Sequence, residues 1–300
     1  MTDIEPISKP MTAREEREST GAVAQLTGHF GSAANAPSHA GRAYLCGRAF
    51  PAMRSAAPLR RGGVRESIIE EDDRERILET ELAPWRMIAS LRLFGGGRVL
   101  TGTGWFAGPR TLITAGHCVH DLSAFGGWAE SVQVAPGRNG DEFPFGKVRT
   151  RRLASLRGWV ERADPDYDIG CLQLAEPLGE RTGWLPIASP GAEELNDREV
   201  GISGYPADRG MGRFQYFDAN RVIRVGERRL HYAVDTAGGQ SGAPVWIPSG
   251  EDHLPQVVAV HAYGFADARL GPAMLGNAAP RIAGPILDVI RGWIAESERS

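Results

Sequence analysis

Three short stretches carry the residue types needed to activate a serine: TAGHC at 114–118, DYDIG at 166–170 and TAGGQSGAP at 236–244. They supply, in chain order, a base (His117), a carboxylate to orient it (Asp168) and a nucleophile (Ser241). The chemistry such a set performs is acyl transfer. The imidazole takes the hydroxyl proton, and the carboxylate accepts Nδ1–H and stabilises the imidazolium that forms. Gly239 and Gly242 flank Gln240-Ser241 and permit a tight turn with unusual φ, which projects Oγ and leaves backbone N–H groups free. The N–H groups of Gly239 and Ser241 are the candidate oxyanion hole, where one lost donor typically costs about 3 kcal/mol of transition-state stabilisation.

Each motif alone is ordinary. A lone His is most often a surface or core residue, an Asp before an apolar strand is commonly a turn residue, and GxSG recurs in flexible loops. The context narrows these readings. Ala115 and Gly116 are small enough to let other segments approach the imidazole. Asp164 and Asp166 compete with Asp168, but Asp168 adjoins the apolar run IGCLQL and is the easiest to bury beside His117.

The elements that must position these residues read as short strands. The chain has 300 residues, enough for one large domain or two small ones, and 42% are hydrophobic, so a sizeable core is possible. With 38 Gly and 20 Pro it has many turns, which fits an all-β protein. MIASLRLF (87–94), RVLTGTGWFA (98–107) and TLITAG (111–116) read as consecutive strands, and SVQVAPG, DIGCLQL, EVGISGY, LHYAVD, APVWI and QVVAVHAYG as later ones. This spacing predicts an antiparallel barrel or sandwich. The final segment, GPILDVIRGWIAE (284–296), reads as a helix with Ile286, Ile290, Trp293 and Ile294 near one face and Pro285 in the first turn.

Residues 1–66 differ from the rest. They are rich in Ala, Gly, Ser, Pro and Arg, lack periodicity and carry nine basic and six acidic residues. They are expected to be disordered or a loosely packed pro-segment preceding the domain at 67–300. A net charge of −3 predicts no general attraction to nucleic acid. There is no zinc-ligand spacing, phosphate-cradling loop or basic helix, so no metal or cofactor is expected. No stretch approaches the roughly 20 apolar residues of a membrane span. The first residues lack the apolar run of a Sec signal peptide, which points to the cytoplasm or to secretion by a non-Sec route. Cys46, Cys118 and Cys171 are too few and odd in number for a disulfide framework.

With the motifs in this order and spacing, about residues 67–300 resemble the chymotrypsin-fold serine proteases, and among them the bacterial glutamyl endopeptidases. The resemblance implies two six-stranded antiparallel barrels, with His117 and Asp168 from the first and Ser241 from the second. It implies protein or peptide substrates cleaved through an acyl-enzyme. It also places His261, in VVAVHAYG, and Thr236 in the wall of the specificity pocket, where a His donor and a Thr hydroxyl can bind a substrate carboxylate. Asp235 sits six residues before Ser241, where trypsin-like enzymes hold the Asp that binds Arg or Lys. If its carboxylate enters the pocket, basic substrates win; if it points away, His261 and Thr236 decide for Glu. SIIEEDDRERI (67–77) resembles the family's mature start, so Glu66–Ser67 is a candidate self-processing site.

Two positions depart from the pattern. Animal enzymes of this fold have an Asp immediately before the nucleophile, which pairs with the new N-terminus; this chain has Gln240, so that ion-pair switch is absent. Cys118 usually has a disulfide partner on the preceding strand, but GTGWFAG offers none, so a free buried thiol is expected. Two other classes compete: a pseudoprotease that binds without turnover, and an interaction protein whose residues 1–66 dock a regulator. An α/β-hydrolase esterase is disfavoured because its Ser precedes its His.

Overall fold

The computed structural model describes residues 2–12, 15, 72–250, 253–264 and 276–299. The candidate processing residues Glu66 and Ser67, and most of residues 1–66, lie outside them. Two curled antiparallel sheets, built largely in sequence order, make up the fold. The first contains β1 (Pro6–Ser8), β3 (Ile88–Gly95), β4 (Arg98–Phe106), β5 (Thr111–Thr114), β8 (Ser131–Pro136), β9 (Val148–Thr150), β10 (Arg152–Leu156) and β11 (Gly170–Gln173), in the order β1-β10-β11-β5-β4-β3-β8-β9. Only Arg151 separates β9 from β10, yet they lie at opposite ends of the ladder, so one bent segment closes the sheet on itself. Counted that way, six strands form the barrel and β1 is an addition to it.

The second sheet follows the same plan. β12 (Glu199–Gly204), β13 (Tyr216–Val225), β14 (Arg229–Tyr232), β15 (Pro244–Ile247), β16 (Gln256–Val260) and β17 (Asn277–Pro280) run in the order β16-β15-β12-β13-β14-β17, and β2 (Glu75–Arg76) pairs with β13. A bridge between Ala259 and Arg281 links the two ends. β6 (His120–Asp121) and β7 (Gly127–Trp128) make a small ribbon. The helices are short at α1 (Arg157–Arg162), α2 (Gly179–Thr182) and α3 (Ala192–Leu195), and longer at α4 (Pro285–Arg299). Among the described residues, no helix is long and apolar enough to cross a membrane.

Each sheet fills its interior with alternating strand residues, as period-2 burial requires. Leu91, Leu93, Phe106, Leu112, Val132, Val134 and Leu172 pack inside the first; Val200, Ile202, Val222, Leu230, Val245 and Val258 pack inside the second. A third cluster lies between them and joins Trp105, Ile113 and Ile169 of the first half to Tyr205, Phe217 and Trp246 of the second. Helix α4 completes it with Ile286, Ile290 and Trp293, as its periodicity predicts, while Ile294 is only partly buried and packs at the margin.

Residues 2–12 of the segment expected to be disordered or a loosely packed pro-segment pack on the first sheet. β1 pairs with β10 in the register Pro6–Leu156, Ile7–Ser155 and Ser8–Ala154. Arg157 pairs with Glu5, Arg162 with Asp3, and Lys9 Nζ donates to Glu130 O. An edge strand with open backbone groups recruits any extended segment of matching charge, and these residues supply it.

The inter-sheet cluster yields the first prediction. Trp246 is fully buried and its ring stacks on Phe217 at 6.1 Å. Trp246→Ala is expected to cost about 3–5 kcal/mol of folding stability, read as a lower denaturation midpoint in urea.

Candidate active site

His117 sits in a single 3₁₀ turn, Gly116–Cys118, at the end of β5. The turn is possible because Gly116 has no side chain: a Cβ there would lie 2.7 Å from Trp159 Cδ1 and 2.9 Å from Asp168 Oδ1. Asp168 enters from the other side, between the turn Pro165–Tyr167 and β11. Its φ of −72° and ψ of 65°, with Ile169 N–H donating to Tyr167 O, make an inverse γ-turn that points the carboxylate inward. The competing carboxylates are occupied elsewhere. Asp164 accepts from Asp166 N–H, and Asp166 pairs with Arg229 at 2.6 Å.

The Asp168 carboxylate has no exposed surface. Oδ1 accepts from His117 N–H at 2.8 Å, and Oδ2 lies 2.8 Å from His117 Nδ1. Tyr263 OH donates to the same Oδ2. Tyr263 follows β16 in the second half of the chain, so this carboxylate is held by both halves. Burial by itself would lower the His117 pKa, but the charge of Asp168, joined by the neighbouring Cys118 and the Asp168 hydrogen bond, outweighs it and holds it well above 6.5.

Ser241 reaches the same place through its backbone. Its carbonyl accepts from Thr103 N–H at 2.9 Å and lies 3.7 Å from Cys118 Sγ, one residue from His117. Gly242 follows with φ +89°, and a Cβ there would lie 2.1 Å from Thr103 O and 2.2 Å from Thr114 Oγ1. Only glycine lets the loop press this closely onto β4 and β5. No hydrogen bond joins Ser241 Oγ to His117; such contacts are often loose without substrate and tighten when it binds. The loop's carbonyls are used internally: Gly238 O accepts from Ala207 N–H, Gly239 O from Thr103 Oγ1 and Gln240 O from Ala243 N–H. Gly239, at φ +96°, and Ser241 donate their N–H groups to no acceptor among the described residues.

The three residues singled out for the specificity pocket are all buried. His261 is buried, and Tyr232 OH lies 2.6 Å from its Nδ1. Burial, helped by the nearby His117 charge, pushes the His261 pKa down to about 3, so the ring is neutral. Burial also holds the Tyr232 phenol well above 10, so it keeps its proton. With Tyr232 OH as the donor to Nδ1, His261 carries its own proton on Nε2. Thr236 Oγ1 is buried and has no hydrogen-bond partner among the described residues. Asp235 is buried as well: its Oδ2 accepts from Asp73 N–H at 3.2 Å, and its own N–H donates to Asp218 Oδ2 at 2.6 Å. Burial, with the charges of Asp235 and Asp73 nearby, raises the Asp218 pKa to about 7.

Residues 102–259 match the family model of the trypsin-like peptidase domain. The chain belongs to this family. It is 35% identical over 231 residues to a glutamyl endopeptidase of Bacillus licheniformis, covering 76% of this chain and 69% of the relative. An extracellular metalloprotease of Bacillus subtilis is 31% identical over 229 residues, with the same coverage. Among the described residues of this peptidase, no group of three or more His, Cys, Asp or Glu is placed to hold a metal ion. The fold matches a solved Glu endopeptidase in complex with MPD, at a TM-score of 0.65 and 24% identity, over 76% of this chain and 99% of that one. The peptidase is thus a trypsin-like serine peptidase close to glutamyl endopeptidases, with the two-barrel fold that the resemblance implied.

Cys118 is free and buried, as expected; Cys171 is also free and buried, while Cys46 lies outside the described residues. Three residues at the site carried no motif: Tyr263, which holds Asp168; Tyr232, whose OH meets His261 Nδ1; and Trp159, whose ring meets His117 edge-on at 6.2 Å.

The His117–Asp168 pair predicts a titration. NMR of the imidazole is expected to place the His117 pKa above 6.5, and Asp168→Asn to bring it down, because burial then acts without the opposing charge. A raised folded pKa means that the pair's contribution to stability is complete below the unfolded value and is lost as pH rises through the folded one.

Proposed function

We propose that this peptidase is a serine endopeptidase acting through Ser241, His117 and Asp168, with a preference for Glu before the scissile bond. His117 removes the Ser241 proton, Ser241 attacks the peptide carbonyl, and the N–H groups of Gly239 and Ser241 receive the developing oxyanion. His117 then protonates the leaving amine, and water repeats the sequence to release the acyl group. The observation that carries the mechanism is the fully buried Asp168 carboxylate, spanning His117 N–H and Nδ1 at 2.8 Å each.

Two features support the acidic preference. Among the described residues Thr236 Oγ1 is a buried hydroxyl without a hydrogen-bond partner, and His261, with Nδ1 engaged by Tyr232 OH, can offer Nε2–H. Both can donate to a carboxylate. Asp235, the residue that would favour Arg or Lys, accepts instead from the backbone of Asp73. Self-processing at Glu66–Ser67 follows from the same preference and is part of the proposal.

Cleavage of a peptide library, beside a Ser241→Ala control and with the N-terminus sequenced before and after, tests the reading. Cleavage after Glu that vanishes in the control, with a new terminus at Ser67, is expected. Cleavage after Arg or Lys would hand the pocket to Asp235, and no cleavage by full-length or trimmed protein would favour a pseudoprotease. His261→Phe is expected to lower kcat/KM on Glu substrates about 10- to 100-fold, from the roughly 1.5–3 kcal/mol of a hydrogen bond to a charged group. Because the base must be neutral, kcat/KM is expected to fall on the acid side with a midpoint above pH 6.5, and Asp168→Asn to lower kcat by about 10⁴-fold.

A further inference from the structure

Arg74 lies in the segment that leads into β2, far from the site in sequence, and its side chain has no exposed surface. Every N–H of its guanidinium has an acceptor. Nε and Nη2 donate to the two oxygens of Asp72 at 2.9 and 2.8 Å. Nη1 and Nη2 donate to the two oxygens of Asp208 at 3.1 and 2.6 Å. The remaining Nη1 hydrogen faces Gln240 Oε1 at 3.4 Å. Gln240 immediately precedes the proposed nucleophile.

Both loops that Arg74 reaches shape the candidate oxyanion hole. Gln240 Oε1 also accepts from Ala237 N–H at 2.9 Å, which folds the 237–241 loop on itself. Asp208 adjoins Ala207, whose N–H donates to Gly238 O at 2.7 Å. A Cβ on Gly239 would lie 2.7 Å from Tyr205 O and 2.8 Å from Ala207 N, so the 205–208 chain is the wall against which Gly239 rests. Arg209 strengthens the same knot, pairing with Asp72 and donating from Nη1 to Arg74 O at 3.0 Å.

We propose that Arg74 is a positioning residue that clamps the 205–208 and 237–241 loops together and so sets the geometry of the Gly239 and Ser241 N–H donors. The cation comes from a side chain within the N-terminal segment, in place of a newly formed α-ammonium group, and an amide at Gln240 receives it. Docking of residues 72–76 is thereby coupled to oxyanion stabilisation. The inference rests on the reading of Ser241 as the nucleophile. A buried Arg that only neutralised Asp72 and Asp208 would affect stability without selectively affecting the transition state.

The test compares the wild-type chain with Arg74→Met, Arg74→Lys and Gln240→Met. Kinetics on a Glu-containing peptide and inhibition by a peptide boronate, whose tetrahedral adduct places an oxygen in the oxyanion hole, are read with amide hydrogen exchange over 237–243. Arg74→Met is expected to lower kcat about 10- to 100-fold, below the loss typical of deleting a donor outright. KM should stay within about threefold, boronate affinity should fall by the same factor as kcat, and exchange over 237–243 should quicken. Arg74→Lys is expected to recover part of the loss. Should Arg74→Met fail to fold, Arg74→Lys, which keeps the charge but loses the fork, must show a smaller version of the split, and Gln240→Met, which removes both the Arg74 and the Ala237 contacts while leaving the Arg74 carboxylate pairs intact, a loss at least as large. Folded variants with wild-type kcat, boronate affinity and exchange would overturn the proposal. If the wild type hydrolyses nothing, the functional reading fails, while exchange over 237–243 still decides the clamp.

Discussion

The site depends on one buried charge. Asp168 has no exposed surface, and a carboxylate taken out of water needs donors on its oxygens or it takes up a proton. It finds three: His117 N–H, His117 Nδ1–H and Tyr263 OH. The first two fix the position and tautomer of the imidazole. The third comes from the second half of the chain, so the carboxylate serves both barrels. The γ-turn at Asp168, the absence of a side chain at Gly116 and the packing of Trp159 against His117 all follow from bringing this carboxylate to this ring.

A second constraint is the close approach of the Ser241 loop to the first barrel. The contact is made by backbone: Thr103 N–H on Ser241 O, and Gly242 pressed against Thr103 and Thr114. The loop spends its carbonyls on its own neighbours and keeps the Gly239 and Ser241 N–H groups spare. An arrangement that leaves two donors unused must be held by something else. Arg74, Asp208 and Gln240 supply that restraint from behind the loop. The inter-sheet cluster of Trp105, Phe217 and Trp246 then sets the spacing of the two halves.

Much of this was legible in the residues, because the informative signals are local. The apolar runs at 87–94, 98–107 and 111–116 are β3, β4 and β5, and the helical face of Ile286, Ile290 and Trp293 is buried as its spacing requires. β13 was not legible: YFDANRVIRV carries Asp218, Asn220, Arg221 and Arg224, and a register shift between Val222 and Arg224 breaks the alternation that marks a strand. β1 has only three residues, one of them Pro6, and its strand conformation comes from the β10 edge and the ion pairs of Arg157 and Arg162. Gly239, Ser241 and Gly242 advertise a candidate role through their neighbours in sequence. Arg74 and Tyr263 do not, because Asp208 and Asp168 lie 134 and 95 residues away from them. Asp235 shows the same limit, since the Asp73 N–H that it accepts from lies 162 residues away.

The central claim is that Ser241 is made nucleophilic by a His117 held on Asp168. Labelling the purified protein with a fluorophosphonate and mapping the adduct by mass spectrometry tests it most directly, with His117→Ala and Ser241→Ala alongside. The account predicts a single adduct on Ser241, formed far more slowly in His117→Ala and absent in Ser241→Ala. An adduct on another residue, or equal rates in the wild type and His117→Ala, would contradict it.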